Sequence, residues 1–581
     1  TILTDVTGVQ TCALPILVLA GIWGYHIPFR TIEYLFLTCI RVIKLVNMNF
    51  HSTALCCSIG GSLILLSCHS QVKKKTVQPN ILIAISDDQS FEHTSFAGCA
   101  FVNTPGFDRV AQSGIFFTNC FAGSPGSAPS RSSLVTGRYH WQNEQSGQHA
   151  SSWMKKYVPF VDILKTNGYH TGFTGKGVDP FQYARNENDS LWRIENAAGK
   201  AYNSIKYKKG DPSDDRTAEG IGDINYFANF CDFMSQRKTD QPFCFWYGAT
   251  EPHRSYEKDS WKRNNKDPDM VNVPGFLPDN EVVRGDLLDY AVEIEWFDLH
   301  LTRILNYLDS TGELENTIVI VTGDNGMPFP RAKANGYEYG VHVPLAICYP
   351  EMISANRIVD DPVSFVDFVP TIFEISGIKP AGMLPVSGKS IAGILRSEKS
   401  GIVDQTKKYI FAGRERHSSS RWNNLGYPQR VIRSERYLLI WNLKPELWPA
   451  GDPQSVDLES GSGKLNPMYG IDKTGMHHSE WAFTDVDASP SKSFLVENFS
   501  DKNIKYYFDL AFAKRPEFEL YDIQNDSYCK NNLCGDMQYA SVEEEMRDEL
   551  LKELVRSGDP RVAGPDKEIF ESYTRYSPIR E

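Results

Sequence analysis

Residues 80–85 read NILIAI, a continuous apolar run of strand length, and the polar residues 86–88 (SDD) follow it at once. Such a run is typical of a strand that is buried on both faces of a mainly parallel sheet. The same order recurs at residues 243–247 (FCFWY) and 317–322 (TIVIVT), each of which also leads into polar residues. Because open α/β sheets form their sites at the carboxyl ends of strands, we expect a functional site there.

A long amphipathic helix is predicted between the second and third of these runs. Asp286 is its expected N-cap, and apolar residues recur at three- to four-residue spacing until Gly312. Strand, helix and strand in this order predict an α/β crossover architecture.

The pattern changes beyond residue 400. Short alternating runs at 409–412 and 437–441 are separated by polar segments, and Ser541 precedes a helical pattern at 542–556. We therefore predict an α/β catalytic domain over residues 80–404. A smaller C-terminal domain, an antiparallel sheet with a packed helix, is predicted over residues 405–581.

Composition and charge exclude several classes of protein. The 581 residues are 41% hydrophobic, which is enough for a sizeable core and excludes a wholly disordered chain. The formal net charge of −12 argues against a general nucleic-acid binder. An anionic substrate remains compatible with it, because a site can be locally basic within an acidic protein.

The N-terminal region predicts export. Residues 7–16 (TGVQTCALPI) resemble translated sequencing-adapter sequence, so residues 1–47 are expected to be foreign to the natural protein. Residues 48–79 are predicted to hold a signal segment and a polar tether. Within them Leu-Leu-Ser-Cys at 65–68 resembles a bacterial lipoprotein signal with Cys68 as the lipidated residue. The alternative is an ordinary cleaved signal peptide, and either predicts a periplasmic or outer-membrane-anchored protein.

The cysteines that follow this region show no CxxC pair, so a zinc site is not expected. Cys529 and Cys534 could close a short disulfide loop in an oxidising compartment. Cys244 and Cys348 lie in apolar, strand-like runs and are predicted to be buried thiols.

The most informative segment is residues 127–138, which read SAPSRSSLVTGR. It resembles the signature of the formylglycine-dependent sulfatases: Cys or Ser, any residue, Pro, Ser and Arg, and then Leu-x-Thr-Gly-Arg. Residues 103–109 (NTPGFDR) and the pair Gly175-Lys176 also match that family. The resemblance covers roughly residues 78–560 and implies an alkaline-phosphatase-like fold, a mainly parallel sheet sandwiched by helices.

The resemblance also implies that Ser127 is the precursor of the nucleophile. In that family a maturation enzyme oxidises the first residue of the signature to formylglycine, and a serine precursor resembles the oxygen-independent, prokaryotic route. The hydrated aldehyde offers two hydroxyls, one to attack sulfur and one to expel the sulfate.

A metal site is implied by the same comparison. Asp87, Asp88, Asp324 and Asn325 are oxygen donors at the ends of separate strands and can converge with Ser127 on one hard cation, expected to be a single calcium ion. Such an ion would bind a sulfate oxygen as a Lewis acid. The alternative for Asp87-Asp88 alone is a helix N-cap.

The expected catalytic side chains are cationic. Arg131, Lys176 and Lys333 would direct positive charge to the formylglycine or the sulfate, although Arg331 is close enough in sequence to take the place of Lys333. His253 is the candidate acid at the leaving atom. The alternatives are a solvated surface charge for Lys176 and a structural role for His253.

Several phrases resemble the N-sulfoglucosamine (heparan) sulfohydrolases within the family, namely residues 252–254 (PHR), 324–330 (DNGMPFP), 430–443 and 519–522 (ELYD). Those enzymes place a histidine soon after their Gly-Lys pair, whereas residues 175–180 here read GKGVDP. Action on O-sulfated sugars therefore stays open.

The sugar is expected to meet further polar side chains. The smaller domain contributes candidates from residues 414–417, for which a solvated charge cluster is the alternative. The predicted substrate-binding residues are His149, Arg254, Arg331, Arg414, Glu415 and His417.

Two other functions compete with an exported sulfatase that acts on a sulfated glycan. One is a metal-dependent phosphatase or phosphodiesterase of the same fold, which would need ligands for a second metal and no modified nucleophile. The other is a non-catalytic glycan-binding protein in which Ser127 stays unoxidised.

Overall fold

A computed structural model describes residues 78–183, 195–454 and 482–576. The predicted extension at 1–47 and the signal segment with Cys68 lie outside these ranges. Within them, no helix is both long and apolar enough to cross a bilayer. The described residues fall within one compact unit that begins at Val77, and the division at residue 405 stays a prediction.

The core of the molecule is a nine-stranded sheet in the order β10-β2-β9-β8-β1-β7-β4-β6, with β11 also paired to β2. The predicted mainly parallel α/β sheet is confirmed, and β9 runs antiparallel to both of its neighbours. In chain order the strands are β1 (Asn80–Ser86), β2 (Ile115–Phe121), β3 (Ser151–Ser152), β4 (His170–Gly175), β5 (Phe181–Gln182), β6 (Lys200–Ala201), β7 (Phe243–Gly248), β8 (Thr317–Gly323), β9 (His342–Cys348), β10 (Arg357–Val359), β11 (Val363–Ser364), β12 (Ile410–Arg414), β13 (Gln429–Arg433), β14 (Tyr437–Asn442) and β15 (Phe518–Asp522).

Helices cover both faces of this sheet. The α-helices are Pro105–Ser113, Ser127–Thr136, Phe160–Thr166, Tyr226–Ser235, Ser260–Arg263, Glu281–Ser310, Glu338–Val341, Phe368–Ser376, Ala392–Arg396, Pro490–Glu497, Lys502–Phe512, Ala540–Ser557 and Pro560–Ala563.

Strand β1 shows why its sequence is apolar throughout. All seven of its residues are buried, and successive side chains enter opposite cores. Ile81, Ile83 and Ile85 pack in the core that includes Leu134 of the Ser127–Thr136 helix, whereas the residues between them pack in the core of the long helix. A strand with two buried faces cannot alternate apolar with polar residues.

The long helix spans Glu281–Ser310, and its N-cap lies six residues before the predicted one. Asn280 is the N-cap, since its side-chain oxygen accepts hydrogen bonds from the backbone N–H of Val282 and Val283 at 2.9 and 3.1 Å. The prediction of Asp286 as N-cap was wrong because that carboxylate lies inside the helix and pairs with Arg254.

The smaller sheet is antiparallel, in the order β12-β13-β14-β15, as predicted. One face packs on Phe121, Tyr337 and Val341 of the main sheet region. The other face is covered by the Ala540–Ser557 helix, through Met546 and two leucines of that helix.

The cysteine predictions have mixed outcomes. Cys244 and Cys348 are buried free thiols, as expected. Cys529 and Cys534 are also free, so the suggested disulfide between them is not formed.

Candidate functional site

Four adjacent parallel strands, β8, β1, β7 and β4, deliver the site residues from their carboxyl ends. Asp324 follows β8, Asp87 follows β1, His253 follows β7 and Lys176 follows β4. Parallel pairing brings the strand ends to one edge of the sheet, which is why residues far apart in sequence meet there.

Ser127 is the first residue of a helix whose ten residues are all buried. The helix is built largely of small residues, which allows it to lie close to the sheet. It ends at Gly137, whose φ of +65° is the left-handed conformation that glycine adopts without strain. The Ser130 hydroxyl donates to the backbone oxygen of Asp324 at 2.6 Å and ties the helix to the end of β8.

Three buried carboxylates lie beside Ser127. Asp87, Asp88 and Asp324 each offer an oxygen within 4.8 Å of the others. Ser127 Oγ is 2.9 Å from Asp87 Oδ1 and 3.2 Å from Asn325 Oδ1. The structure brings these five predicted residues together, and their role as metal ligands stays a prediction.

Cations surround the carboxylates. Arg131 is fully buried, with its Nε 2.8 Å from Asp324 Oδ2. Lys176 Nζ is 2.5 Å from Asp87 Oδ2, and Lys333 Nζ is 2.6 Å from Asp88 Oδ2. All three predicted cationic residues therefore face the cluster.

The protonation equilibria of the carboxylates respond to this arrangement. Burial favours the neutral form of Asp87, but the adjacent Lys176 and Arg131 outweigh it and lower its pKa. Burial and the neighbouring Asp87 charge raise the pKa of Asp324. The pKa values of the two carboxyl groups are thus shifted in opposite directions, as expected for acids that share one site.

Asp487 is a site residue that the sequence analysis missed. Its Oδ2 lies 3.0 Å from Lys333 Nζ, so Lys333 bridges it to Asp88. It follows a polar segment and belongs to no recognisable motif, so no local signal indicated it.

The donor set fits a hard divalent cation. The clustered ligand atoms are carboxylate and amide oxygens, the type that calcium and magnesium prefer. Counting Asp487, four carboxylates face three cationic side chains, so the cluster carries an excess negative charge before any ion binds. A divalent cation would reverse that excess and leave a positive site for an anion.

His253 lies at the outer side of this cluster. Its Nδ1 is 2.6 Å from the backbone oxygen of Arg254, and its Nε2 is 3.8 Å from Asp88 Oδ2. An N–H at Nδ1 that donates to that carbonyl leaves Nε2 free to accept a proton.

Arg254 does not face a substrate. Its side chain is 5% exposed, it pairs with Asp286 at 2.7 Å, and it packs against the rings of Tyr256 and Phe329. The prediction of Arg254 as a substrate-binding residue is therefore corrected: it orients the His253 turn through its own backbone oxygen.

Arg331 points away from the carboxylates as well. It is buried, donates to the backbone oxygens of Leu510 and Cys529, and lies 4.0 Å over the ring of Tyr337. Lys333, two residues on, occupies the site instead, so the suggested exchange of roles does not occur.

Arg414 and Glu415 are neither exposed to solvent nor placed to contact a sugar. Arg414 is buried and pairs with Asp485. Glu415 lies between Arg430 and Arg561 at 2.7 and 2.6 Å. Arg414 ends edge strand β12 and Glu415 follows it, and both charges are buried, which only their ion pairs make tolerable.

His417 lies against Gly126, the residue before Ser127, and His149 lies next to His417. A Cβ on Gly126 would stand 2.8 Å from His417 Cδ2, so glycine at this position leaves room for the imidazole ring. His417 Nδ1 is 2.9 Å from Asp485 Oδ1, and the His149 ring lies 5.4 Å from the His417 ring. Asp485 was missed by the sequence analysis for the same reason as Asp487.

Comparisons with known proteins agree with this geometry. A family model described as Sulfatase matches residues 79–378. The human N-sulphoglucosamine sulphohydrolase is 26% identical over 546 residues, covering 89% of this chain and 96% of that protein. An N-acetylgalactosamine-6-O-sulfatase of Bacteroides thetaiotaomicron is 38% identical over 396 residues, covering 51% of this chain and 73% of that protein.

Solved structures show the same fold. The phosphonate monoester hydrolase of Agrobacterium radiobacter matches 83% of this chain and 96% of its own, with a TM-score of 0.58 and 16% identity. A protein solved with its substrate D-glucosamine-2-N,6-O-disulfate matches 84% of this chain and 100% of its own, with a TM-score of 0.56 and 18% identity. The fold is therefore alkaline-phosphatase-like. With the family model spanning all of the site residues from Asp87 to Lys333, the chain belongs to the sulfatase family of hydrolases.

Proposed function

We propose that this chain hydrolyses sulfate groups on a sulfated glycan, using a formylglycine made from Ser127 and a calcium ion held by Asp87, Asp88, Asp324 and Asn325. One observation carries the proposal. Ser127 Oγ lies within 3.2 Å of both Asp87 Oδ1 and Asn325 Oδ1, so the nucleophile position and the oxygen-donor cluster form a single site.

When bound, the calcium ion would act as a Lewis acid on a sulfate oxygen, and the formylglycine hydrate would supply one hydroxyl for attack and one for release. Arg131 fixes the position of the cluster, since its guanidinium bonds Asp324 and the backbone oxygens of Lys176 and Gly177 at 3.2 and 3.0 Å.

Lys176 and Lys333 supply the remaining positive charge. In the absence of substrate each pairs with a carboxylate of the cluster. Charge-assisted bonds of this kind can be exchanged for bonds to sulfate oxygens, because a bound cation would then satisfy the carboxylates.

His253 is the proton donor to the leaving atom in this proposal. Its Nδ1–H donates to the backbone oxygen of Arg254, which fixes the ring, and the side chain is 39% exposed so that a substrate can reach Nε2. A proton taken up at Nε2 is delivered to the departing oxygen or nitrogen.

The substrate is proposed to be an N-sulfated glucosamine. Support comes from the near full-length similarity to the human N-sulphoglucosamine sulphohydrolase and from the residues around Asp324 and His253. An O-sulfated sugar is the second candidate. It is favoured by residues 175–180 (GKGVDP), which lack the nearby histidine, and by the 38% identity to a 6-O-sulfatase.

The test uses protein co-expressed with an anaerobic-type maturation enzyme. Tryptic mass spectrometry is expected to show the Ser127 peptide lighter by two hydrogens. Release of sulfate from N-sulfated and O-sulfated glucosamine is then compared side by side, with Ser127→Ala as the inactive control. An unmodified Ser127 with no sulfate release contradicts the proposal and favours a glycan-binding protein. Activity on the O-sulfated sugar alone removes the narrower substrate.

A further inference from the structure

Two arginines beside the site form no direct salt bridge with a described residue, and the acids that act on them from farther away are Glu571 for Arg416 and Asp485 for Arg575. Among the residues that the structure describes, neither Arg416 nor Arg575 has a carboxylate oxygen within 4.0 Å, and the Nε of each is buried without a hydrogen-bond partner. Most other buried arginines of this region, such as Arg414 and Arg430, are paired with acids. Burial and the neighbouring Arg575 lower the pKa of Arg416 to about 10. A largely buried cation with no carboxylate in direct contact leaves a place where an anion can bind.

The C-terminal segment brings Arg575 to this position. Tyr576 donates its backbone N–H to Ala150 at 2.8 Å, and its hydroxyl lies 3.0 Å from Ser152 Oγ. Arg416 donates to the backbone oxygen of Tyr573 at 2.8 Å. The segment is thus attached on both sides of Arg575, so the guanidinium is held in place rather than carried on a free tail.

Contacts connect Arg575 to the nucleophile position. Its Nη1 lies 3.2 Å from His149 Nδ1 and 3.4 Å from the backbone oxygen of His417. His417 in turn packs on Gly126, next to Ser127. His149 and Arg575 are both partly exposed, so a substrate can reach them from solvent.

The surroundings of His149 are strongly positive. Burial lowers its pKa, and His417, Arg575, Lys176 and Lys333 lower it further. The last two lysines border the carboxylate cluster, which places His149 between that cluster and Arg575. Asp485 is the acid that faces this group, and it is already bonded to Arg414, Arg421 and His417.

We propose that Arg575 and His149 form a second anion subsite, which binds a sulfate or carboxylate group of the glycan other than the sulfate that is hydrolysed. The proposal rests on the proposed function and deepens it: the preferred substrate carries at least two anionic groups. The Arg575 guanidinium presents the fork of donors that suits either anion.

The test measures binding without turnover. The Ser127→Ala chain, saturated with calcium, is titrated calorimetrically with glucosamine N-sulfate. The same titration is run with the 6-O-sulfated form of that sugar and with a disaccharide that adds a uronate. We expect the chain to bind at least one dianionic ligand more tightly than the monosulfate. The arm that shows the preference identifies the group as sulfate or carboxylate.

Arg575→Ala, made in the same background, is expected to reduce that preference about tenfold or more, the loss of a charge-assisted hydrogen bond. Arg575→Lys is expected to retain part of it. Tyr573→Phe is the matched control, since it alters the same segment but keeps the guanidinium and the backbone oxygen that accepts from Arg416, and it should retain the full preference.

Equal affinity of the Ser127→Ala chain for all three ligands overturns the subsite, as does an Arg575→Ala variant that keeps the full preference while its thermal unfolding is unchanged. Neither outcome depends on sulfate release. Failure of the proposed function, seen as matured protein that releases no sulfate, is therefore distinguishable from failure of the subsite.

Discussion

Replacing Arg131 by methionine should destabilise the chain strongly when calcium is absent. The guanidinium is fully buried, lies 2.8 Å from Asp324 and 3.6 Å from Asp87, and donates to two backbone oxygens. Methionine has a similar length but no charge, so the variant leaves buried carboxylates and carbonyl oxygens without their partner. Removing one member of a buried ion pair costs about 3–5 kcal/mol of unfolding free energy.

The assay is urea unfolding followed by intrinsic fluorescence, in chelator and in millimolar calcium. We expect the loss of about 3–5 kcal/mol in chelator to shrink in calcium, because a divalent ion replaces the missing positive charge. Arg109→Met is the control. That arginine pairs with Asp309 on the surface, where the side chains are 33% and 64% exposed, and the expected change is below about 1 kcal/mol. Equal unfolding midpoints for Arg131→Met and the parent chain in chelator would refute the reasoning.

Three further outcomes follow from the structure. His253→Gln should lower kcat for sulfated sugars by about 10²-fold or more but affect aryl sulfates with acidic leaving groups far less, since those need no proton at the leaving atom; similar losses on both substrates would contradict the role of proton donor. Asp487→Asn should lower kcat/KM about tenfold, because Lys333 loses one of its two carboxylate partners. Unchanged steady-state kinetics would show that this contact does not contribute to catalysis. Burial would raise the pKa of Glu415, but Arg561 and Arg430 lower it to about 2, below the roughly 4.3 of an unfolded chain. The ionised carboxylate therefore contributes about 3 kcal/mol to the free energy of unfolding above about pH 4.3, and this contribution is lost as the pH falls toward about 2. Urea midpoints measured between pH 5 and 3 should therefore fall less steeply for Glu415→Gln than for the parent, and parallel curves would count against the assignment.

Local patterns predicted the parts of the molecule that repeat a simple rule. The apolar run of β1 indicated a strand with two buried faces, and the residues after it became site residues because parallel strand ends share one edge of the sheet. The signature at 127–138 then indicated Ser127, the proposed precursor of the nucleophile, which the structure places beside them. These features depend on residues close together in sequence or on the parallel strand pairing that a crossover helix favours.

Long-range partners could not be predicted in this way. Arg414 and Glu415 look like surface charges in the sequence, and only the pairing of Arg414 with Asp485, and of Glu415 with Arg430 and Arg561, makes their burial understandable. Asp286 shows the same limit on a smaller scale. A carboxylate near a helix start is a reasonable N-cap, but Asp286 forms an ion pair with Arg254, which lies in the turn after β7.

The central claim is that the residue at position 127 and a divalent ion share one site. A crystal structure of the matured protein grown with calcium tests it most directly. The account predicts an oxidised side chain at 127 with an oxygen about 2.3–2.6 Å from a calcium ion, and Asp87, Asp88, Asp324 and Asn325 as its other protein ligands. An unoxidised serine beside a cluster that binds no ion, or an ion bound away from position 127, would contradict it.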